Sequence, residues 1–506
     1  MSTSVSPLQR VLTASAWTGV GSALPQVVFV ASTPWLLTRL GVDRFGALAL
    51  LTSLVVLASA LDGGVGAAMP RFLAVARGAG DARGARQLVN TGLVLSAAAA
   101  LVLGVVVGAL CAAGGHLLHT TASVGASVAG LGGWLGAVIG VQLVGATFTA
   151  VLAANERFGA IALAAAAGCA AYLPALVVLV PSHALAGAFA AVGLRTAVTT
   201  AVAAAQAVRL VPGHRVGLLP RAQAVELLSY AVRAQVGGLA MLVNAEADTL
   251  IVAAFLPLRD AGFFVLAVTV ATAVRSVPLW AMPVLLTRMS VSTARQGREG
   301  AVALFDRVQP AWASALLAYA VVCLGVITPA VSAWLGPGRP GIAQVATAAL
   351  VLSAGYLVNL LSAPLATTAR ATGRPELESR YGVLAMVVNI ACTVPLALVA
   401  GALGVAAGTA IGCLAGTVYF ARLMRQVVPR RWPRLLWPTT VTVRPGLAAA
   451  GAVLLIVPAW ALLGHQSRWG SAAAVALVVA AAVAAASHLR HGLPVLAGRA
   501  PAASGA

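Results

Sequence analysis

The chain has 506 residues, of which 60% are hydrophobic and 9% charged, with a mean hydropathy of +0.97. Soluble domains carry about a quarter charged residues, so a string of two or three soluble domains is excluded. The net charge of +20 comes from 32 arginines and no lysine, scattered between apolar runs. That excludes a nucleic-acid surface, which needs one basic patch, and fits basic loops beside a membrane.

In chain order, hydropathy and helix breakers predict about fourteen spans, each near the 20 or so residues that cross a bilayer. They lie at roughly 12–38, 46–69, 88–112, 128–153, 160–181, 184–208, 229–256, 262–288, 309–333, 343–369, 380–400, 402–424, 446–464 and 470–488. The first is too long for a signal-peptide core and lacks a small-residue cleavage site, so it is read as a span. With a cytoplasmic N-terminus, 24 of the 32 arginines fall inside and three within spans. Only five lie outside: Arg39, Arg44, Arg259, Arg339 and Arg468. This bias predicts a multi-pass plasma-membrane protein with both termini cytoplasmic.

The chain repeats itself. "RFGALAL" at 44–50 has a counterpart in "DAGFFVLA" at 260–267, and "AMPRFLAVA" at 68–76 in "AMPVLLTRM" at 281–289. "RGARQL" at 83–88 returns as "REGAVAL" at 298–304, and "ALAGAFAAVG" at 184–193 as "ALGVAAGTAIG" at 402–412. The offsets stay between about 213 and 219. The expected fold is therefore all-α: two six-helix lobes in parallel repeat plus two extra C-terminal helices, with substrate at the interface of the repeats. The lobes are expected at 1–224 and 225–424, a basic Trp/Pro-rich linker at 425–445, helices 13 and 14 at 446–490, and a tail at 491–506. The linker reads as an interfacial loop snorkelling into anionic headgroups, or as a docking surface for a cytoplasmic enzyme.

A charge at mid-bilayer costs at least a few kcal/mol and normally faces protein or a water-filled cavity. Arg195 stands near the middle of span 6 beside Thr196, Thr199 and Thr200, and Arg275 near the middle of span 8 beside Thr272 and Ser276. Arg233 sits one turn into span 7, and Asp62 in the inner part of span 2. Two more acids, Glu246 and Asp248, interrupt "AMLVNAEADTLIVAAF" at 240–255. At about 100° per residue, Arg233, Asn244 and Asp248 share an arc of roughly 60°, with Glu246 about 160° from its middle. The Arg233–Asn244–Asp248 face is expected to look into the gap between the lobes, with Glu246 neutral or paired to a neighbouring helix.

Asp248 reads either as a buried acid paired with an arginine or as a substrate or coupling-ion group. Arg195 and Arg275 read as an anion site, since guanidinium forks onto phosphate. Asp62 aligns with Arg275 at an offset of 213, as if the lobes shared a scaffold but not a charge. No cofactor is expected. No metal is expected either, since none of the seven histidines has ligand spacing and the five cysteines sit singly in apolar segments. Gly-rich runs such as "GLGGWLGAVIG" lie inside spans, where small residues let helices approach.

The run "LLTRLGVDRFGALAL" closing span 1, "NERFGAIA" at 155–162, and "NAEADTLIVAAFLPLRDAGFFVLA" in span 7 carry a resemblance. They are similar to the polysaccharide-transporter (Wzx-type) branch of the multidrug/oligosaccharidyl-lipid/polysaccharide (MOP) flippase superfamily, over spans 1–12. The resemblance implies two lobes around a cavity that opens alternately to each side. It also implies substrates that are undecaprenyl-pyrophosphate-linked oligosaccharides. The family's acid in "D-x-L-I" falls on Asp248 and its "G-x-Y" on Gly262-Phe263-Phe264, where Phe replaces Tyr. The expected function is flipping of such a lipid-linked glycan across the bacterial plasma membrane, without enzymatic chemistry. Expected partners are membrane lipids, the glycan substrate and polysaccharide-assembly enzymes. The alternatives are a drug or metabolite antiporter of the same superfamily, which would favour an acidic, aromatic cavity, and a glycan polymerase or ligase, which would need a large outer loop.

Overall fold

Proline and glycine decide where these helices bend and reverse. The computed structural model describes residues 7–60, 65–114, 121–210, 217–463 and 466–489; some helical side chains, those of 232–245 among them, fall outside the description. Among the described residues every regular element is helical. In lipid, an open segment has no other way to satisfy its backbone.

By packing, the chain forms two compact units, Met1–Gly262 and Phe263–Ala506. The first holds α1 (Pro7–Leu40), α2 (Val42–Ala60), α3 (Val65–Gly78), α4 (Ala82–Gly114), α5 (Ala122–Gly130), α6 (Gly132–Ala154), α7 (Phe158–Leu210) and α8 (Arg221–Phe255). α9 (Leu258–Leu279) begins at the boundary. The second continues with α10 (Met282–Leu335), α11 (Ile342–Leu360), α12 (Ala363–Ala371), α13 (Glu376–Leu423), α14 (Trp432–Leu436), α15 (Arg444–Leu463) and α16 (Arg468–Leu489). The repeat places the lobe boundary at 224/225; packing places it one helix later, because α8 lies against α2 and α3.

Three helices are too long for one crossing. α7, α10 and α13 each contain a single non-helical residue, at Ala184, Gly297 and Gly401 respectively. The chain doubles back there: Gly187 packs on Leu179, Gly300 on Ser292 and Gly404 on Leu396. Each of these helices therefore supplies two of the fourteen predicted segments. Conversely α2 with α3, α5 with α6, α9 with the start of α10, and α11 with α12 each share one.

The reversals expose the repeat directly. Gly80, Glu156 and Ala184 have positive φ, and so do Gly297, Gly373 and Gly401, each pair 217 residues apart. At Glu156 and Gly373 even the hydrogen bonds agree. Arg157 N–H donates to the Leu152 carbonyl at 2.9 Å, and Arg374 N–H to the Ala369 carbonyl at 2.8 Å, the six-to-one bond of a left-handed helix ending. In this register Arg275 falls opposite Ala58 rather than Asp62, whose own structure lies outside the described residues.

Ala184 carries φ 47° and ψ −119°, a conformation that glycine adopts freely and a Cβ resists. Its counterpart Gly401 has no such conflict. Ala184→Gly is expected to stabilise the protein by about 1 kcal/mol and Gly401→Ala to destabilise it by a similar amount. Thermal unfolding of the detergent-purified chain measures both, and a lower midpoint for Ala184→Gly would refute the strain.

Helix packing rests on glycine pairs where backbones touch. A Cβ on Gly108 would come within 2.7 Å of the Gly132 carbonyl oxygen, and one on Gly136 within 2.6 Å of that of Gly104. Thus α4 and α6 meet through two glycine pairs one turn apart. Along α13, Gly404, Gly408, Gly412 and Gly416 recur every fourth residue, against Leu396, Thr393, Asn389 and Ala385 of the antiparallel half. The arginine-rich end of unit 2 is closed by an apolar cluster that includes Met289, Phe305, Leu377 and Phe420.

That cluster also anchors the basic segment at 425–445. Val427, Val428, Leu435 and Leu436 are buried in it. The segment is a folded cap, with Arg425, Arg431, Arg434, Trp437 and Val443 among its exposed residues.

Candidate functional site

The two mid-span arginines find the same local solution in different units. Arg195, on the second half of α7, lies 5.7 Å from the centre of the Tyr172 ring on the first half. The approach is permitted by Gly168, which packs on the Arg195 backbone and Thr199. Tyr172 is 2% exposed. In unit 2, Arg275 of α9 lies 5.1 Å from the centre of the Tyr356 ring on α11.

Neither guanidinium has a carboxylate within 4.0 Å among the described residues. The ion pairs found there are Arg370–Glu378 and Arg430–Asp306, both away from the mid-span arginines. A cation over an aromatic ring gains about 0.5–2 kcal/mol, less than the cost of desolvating a charge at this depth. Each arginine has five N–H donors, and Arg275 Nε is buried with no hydrogen bond at all.

Three of the five hydroxyls expected to flank these arginines donate to backbone. Thr196 donates to the Val192 carbonyl at 3.0 Å, Thr200 to that of Val141 at 3.3 Å, and Ser276 to that of Thr272 at 2.7 Å.

Prolines place Arg275. Pro278 has no N–H for the Val274 carbonyl, and the Tyr319 hydroxyl of α10 donates to that carbonyl at 2.8 Å. Pro364 likewise leaves the Leu360 carbonyl without its helical donor, and Trp312 Nε1 of α10 supplies one at 2.8 Å. At the same break Gln309 Nε2 donates to the Leu361 carbonyl at 3.0 Å, and it reaches the Leu436 carbonyl at 3.1 Å. Beyond the break, Asn359 donates to the Tyr381 hydroxyl and, at 3.2 Å, to Thr417. Tyr356 and Asn359 stand three residues apart, on one side of α11. A cation, two phenols and an amide thus gather inside unit 2.

The remaining candidates separate. Asp248 is buried at 3% exposure, beside the buried Thr249. Glu246 is half-buried. The backbones of Arg233 and Asn244 are helical within α8, but their side chains lie outside the described residues, as does Asp62 altogether. Sequence reasoning missed the aromatic partners. The one signal was rarity: of six tyrosines in the chain, four (Tyr172, Tyr319, Tyr356 and Tyr381) belong to these two clusters.

No protein-family model and no curated protein matches the chain by sequence. Solved structures do match in shape. An inward-facing multidrug-resistance MATE transporter of the MOP superfamily superposes with TM-score 0.66 and 15% identity, covering 81% of this chain and 98% of its own. The fold is that of MOP transporters. A lipid II flippase, MurJ, in an inward closed conformation gives TM-score 0.73 at 10% identity, covering 94% of this chain and 99% of its own. A MOP superfamily transporter from Pyrococcus furiosus, whose binding pocket is described as reversed in polarity, gives 0.56 at 14% identity, over 85% and 97% of the two chains. At these identities the likeness is one of MOP fold. The arginines must speak for the chemistry.

Proposed function

We propose that the chain is a flippase of the bacterial plasma membrane, with cytoplasmic termini, that moves an undecaprenyl-pyrophosphate-linked oligosaccharide or a related polysaccharide precursor between leaflets. One observation carries the reading: two intramembrane guanidinium groups stacked on tyrosines, with no carboxylate beside them among the described residues. Such groups suit a doubly charged phosphate headgroup and repel organic cations. Arg195 in one unit and Arg275 in the other are each suited to bind phosphate oxygens, with Arg233 and Asn244 as further candidate substrate contacts. Asp248, Glu246 and Asp62 are the acids available to a coupling ion. Enzymes of polysaccharide assembly supply and consume the cargo. The fold shared with a lipid II flippase supports this reading.

The fold shared with MATE transporters supports a second reading, an ion-coupled drug or metabolite antiporter. Proteoliposomes separate the two. A fluorescent pyrophosphate-linked saccharide lipid in the inner leaflet should become accessible to an external quencher far faster with the protein than without it. The same lipid with an uncharged headgroup should not. Equal rates for both headgroups, or cation-gradient-driven uptake of an organic cation instead, would defeat the proposal.

A further inference from the structure

The geometry points to a second site, independent of transport: we propose that the outward face of residues 425–444 is a preformed seat for anionic phospholipid headgroups. Its sequence, "RQVVPRRWPRLLWPTTVTVR", has five arginines and no acid. The segment joins two candidate membrane spans, Glu376–Gln426 and Arg444–Leu462. A connection between two spans leaves and re-enters the bilayer through the headgroup layer.

What distinguishes it from a loose basic loop is that it is nailed down. Its apolar residues Val427, Val428, Leu435 and Leu436 are buried in the cluster that closes unit 2. α10 grips its backbone along its length. Arg298 Nε donates to the Val427 carbonyl at 2.8 Å, Gln309 Nε2 to the Leu436 carbonyl at 3.1 Å, and Ser314 Oγ accepts the Thr442 N–H at 3.0 Å. Arg430 is held by Asp306 at 3.1 Å, and Arg422 lies 5.5 Å from the centre of the Trp432 ring.

The inward needs of the segment being met, Arg425, Arg431 and Arg434 are left exposed, with no carboxylate within 4.0 Å among the described residues. Trp437, three residues after Arg434, is 41% exposed. Tryptophan favours the headgroup layer, and clustered arginines attract anionic lipid. Because the backbone is already fixed, little ordering entropy opposes the binding. The occupant is the lipid rather than a soluble acidic protein, since the lipid is present at this depth around the whole perimeter. Each arginine near a charged membrane surface contributes about fivefold in affinity, so the three together contribute on the order of 100-fold.

The test uses the full-length protein in phosphatidylcholine vesicles containing phosphatidylglycerol as the minor lipid, with one or the other lipid brominated. Quenching at Trp437 is taken as the difference between wild type and Trp437→Phe. Brominated phosphatidylglycerol should quench Trp437 beyond its share of the bilayer, and brominated phosphatidylcholine should not. The triple variant Arg425→Gln/Arg431→Gln/Arg434→Gln should bring both to parity without moving the thermal midpoint. Should that variant fold poorly, molar salt on the wild type must abolish the preference in its place, since these exposed charges are screened. Parity in the wild type at low salt would overturn the proposal. So would protection of Arg431 from phenylglyoxal by a polyglutamate peptide but not by phosphatidylglycerol, which would assign the face to an acidic protein.

Discussion

Replacing Arg195 and Arg275 together with alanine is expected to reduce flipping of a pyrophosphate-linked lipid to background. A hydrogen bond to a charged group is worth about 1.5–3 kcal/mol, so each arginine should account for about 10- to 100-fold in rate and the pair for the product. Lysine at either position keeps the charge and loses the fork, and should fall between. The control is stability. With no partner carboxylate among the described residues, deletion of either guanidinium orphans no acid, and it removes the buried, unbonded Nε of Arg275. The double variant should melt at the wild-type temperature or above it. Undiminished transport would remove both residues from the site; a large fall in melting temperature would make them structural.

The second large effect concerns assembly. Gly136→Leu, and equally Gly108→Leu, should destabilise the α4–α6 pair by about 3 kcal/mol, the upper end for overpacking, because what the new side chain meets is a carbonyl of the other backbone. Such an atom cannot rotate away. Gly133, close by on α6, has nothing within 4 Å of where its Cβ would sit, so Gly133→Leu should be neutral. Yield of folded monomer and thermal midpoint in detergent report all three. If Gly133→Leu and Gly136→Leu behave alike, the glycine pairs are not what sets the helix spacing.

Fourteen apolar segments were legible because hydropathy needs no partner to be read, and the repeat was legible because stretches such as "AMPRFLAVA" and "AMPVLLTRM" match in one order at nearly one offset. The glycine surfaces followed from their place inside spans. Two things stayed hidden. The boundary between units moved past α8, since which neighbours a hydrophobic helix chooses is a matter of shape, here its fit to α2 and α3. The anchoring of 425–436 is the second, because in a chain that is 60% hydrophobic the pairs Val427-Val428 and Leu435-Leu436 carry no contrast. At the site, the placement of Arg195 and Arg275 within spans was readable from cost alone. Their tyrosines were not, since a ring that meets a guanidinium across two helices leaves no periodic trace.

One consequence follows from α10. Its Tyr319, Trp312 and Gln309 are bolted to carbonyls on three other stretches of unit 2: Val274, Leu360 with Leu361, and Leu436. Fasteners of that kind cannot be undone in oil without stranding a dipole on each side. Any swing of this unit must therefore carry α9, α10, the α11–α12 joint and the cap along as one block, and the freedom to rock is left to the seams that no side chain has stitched.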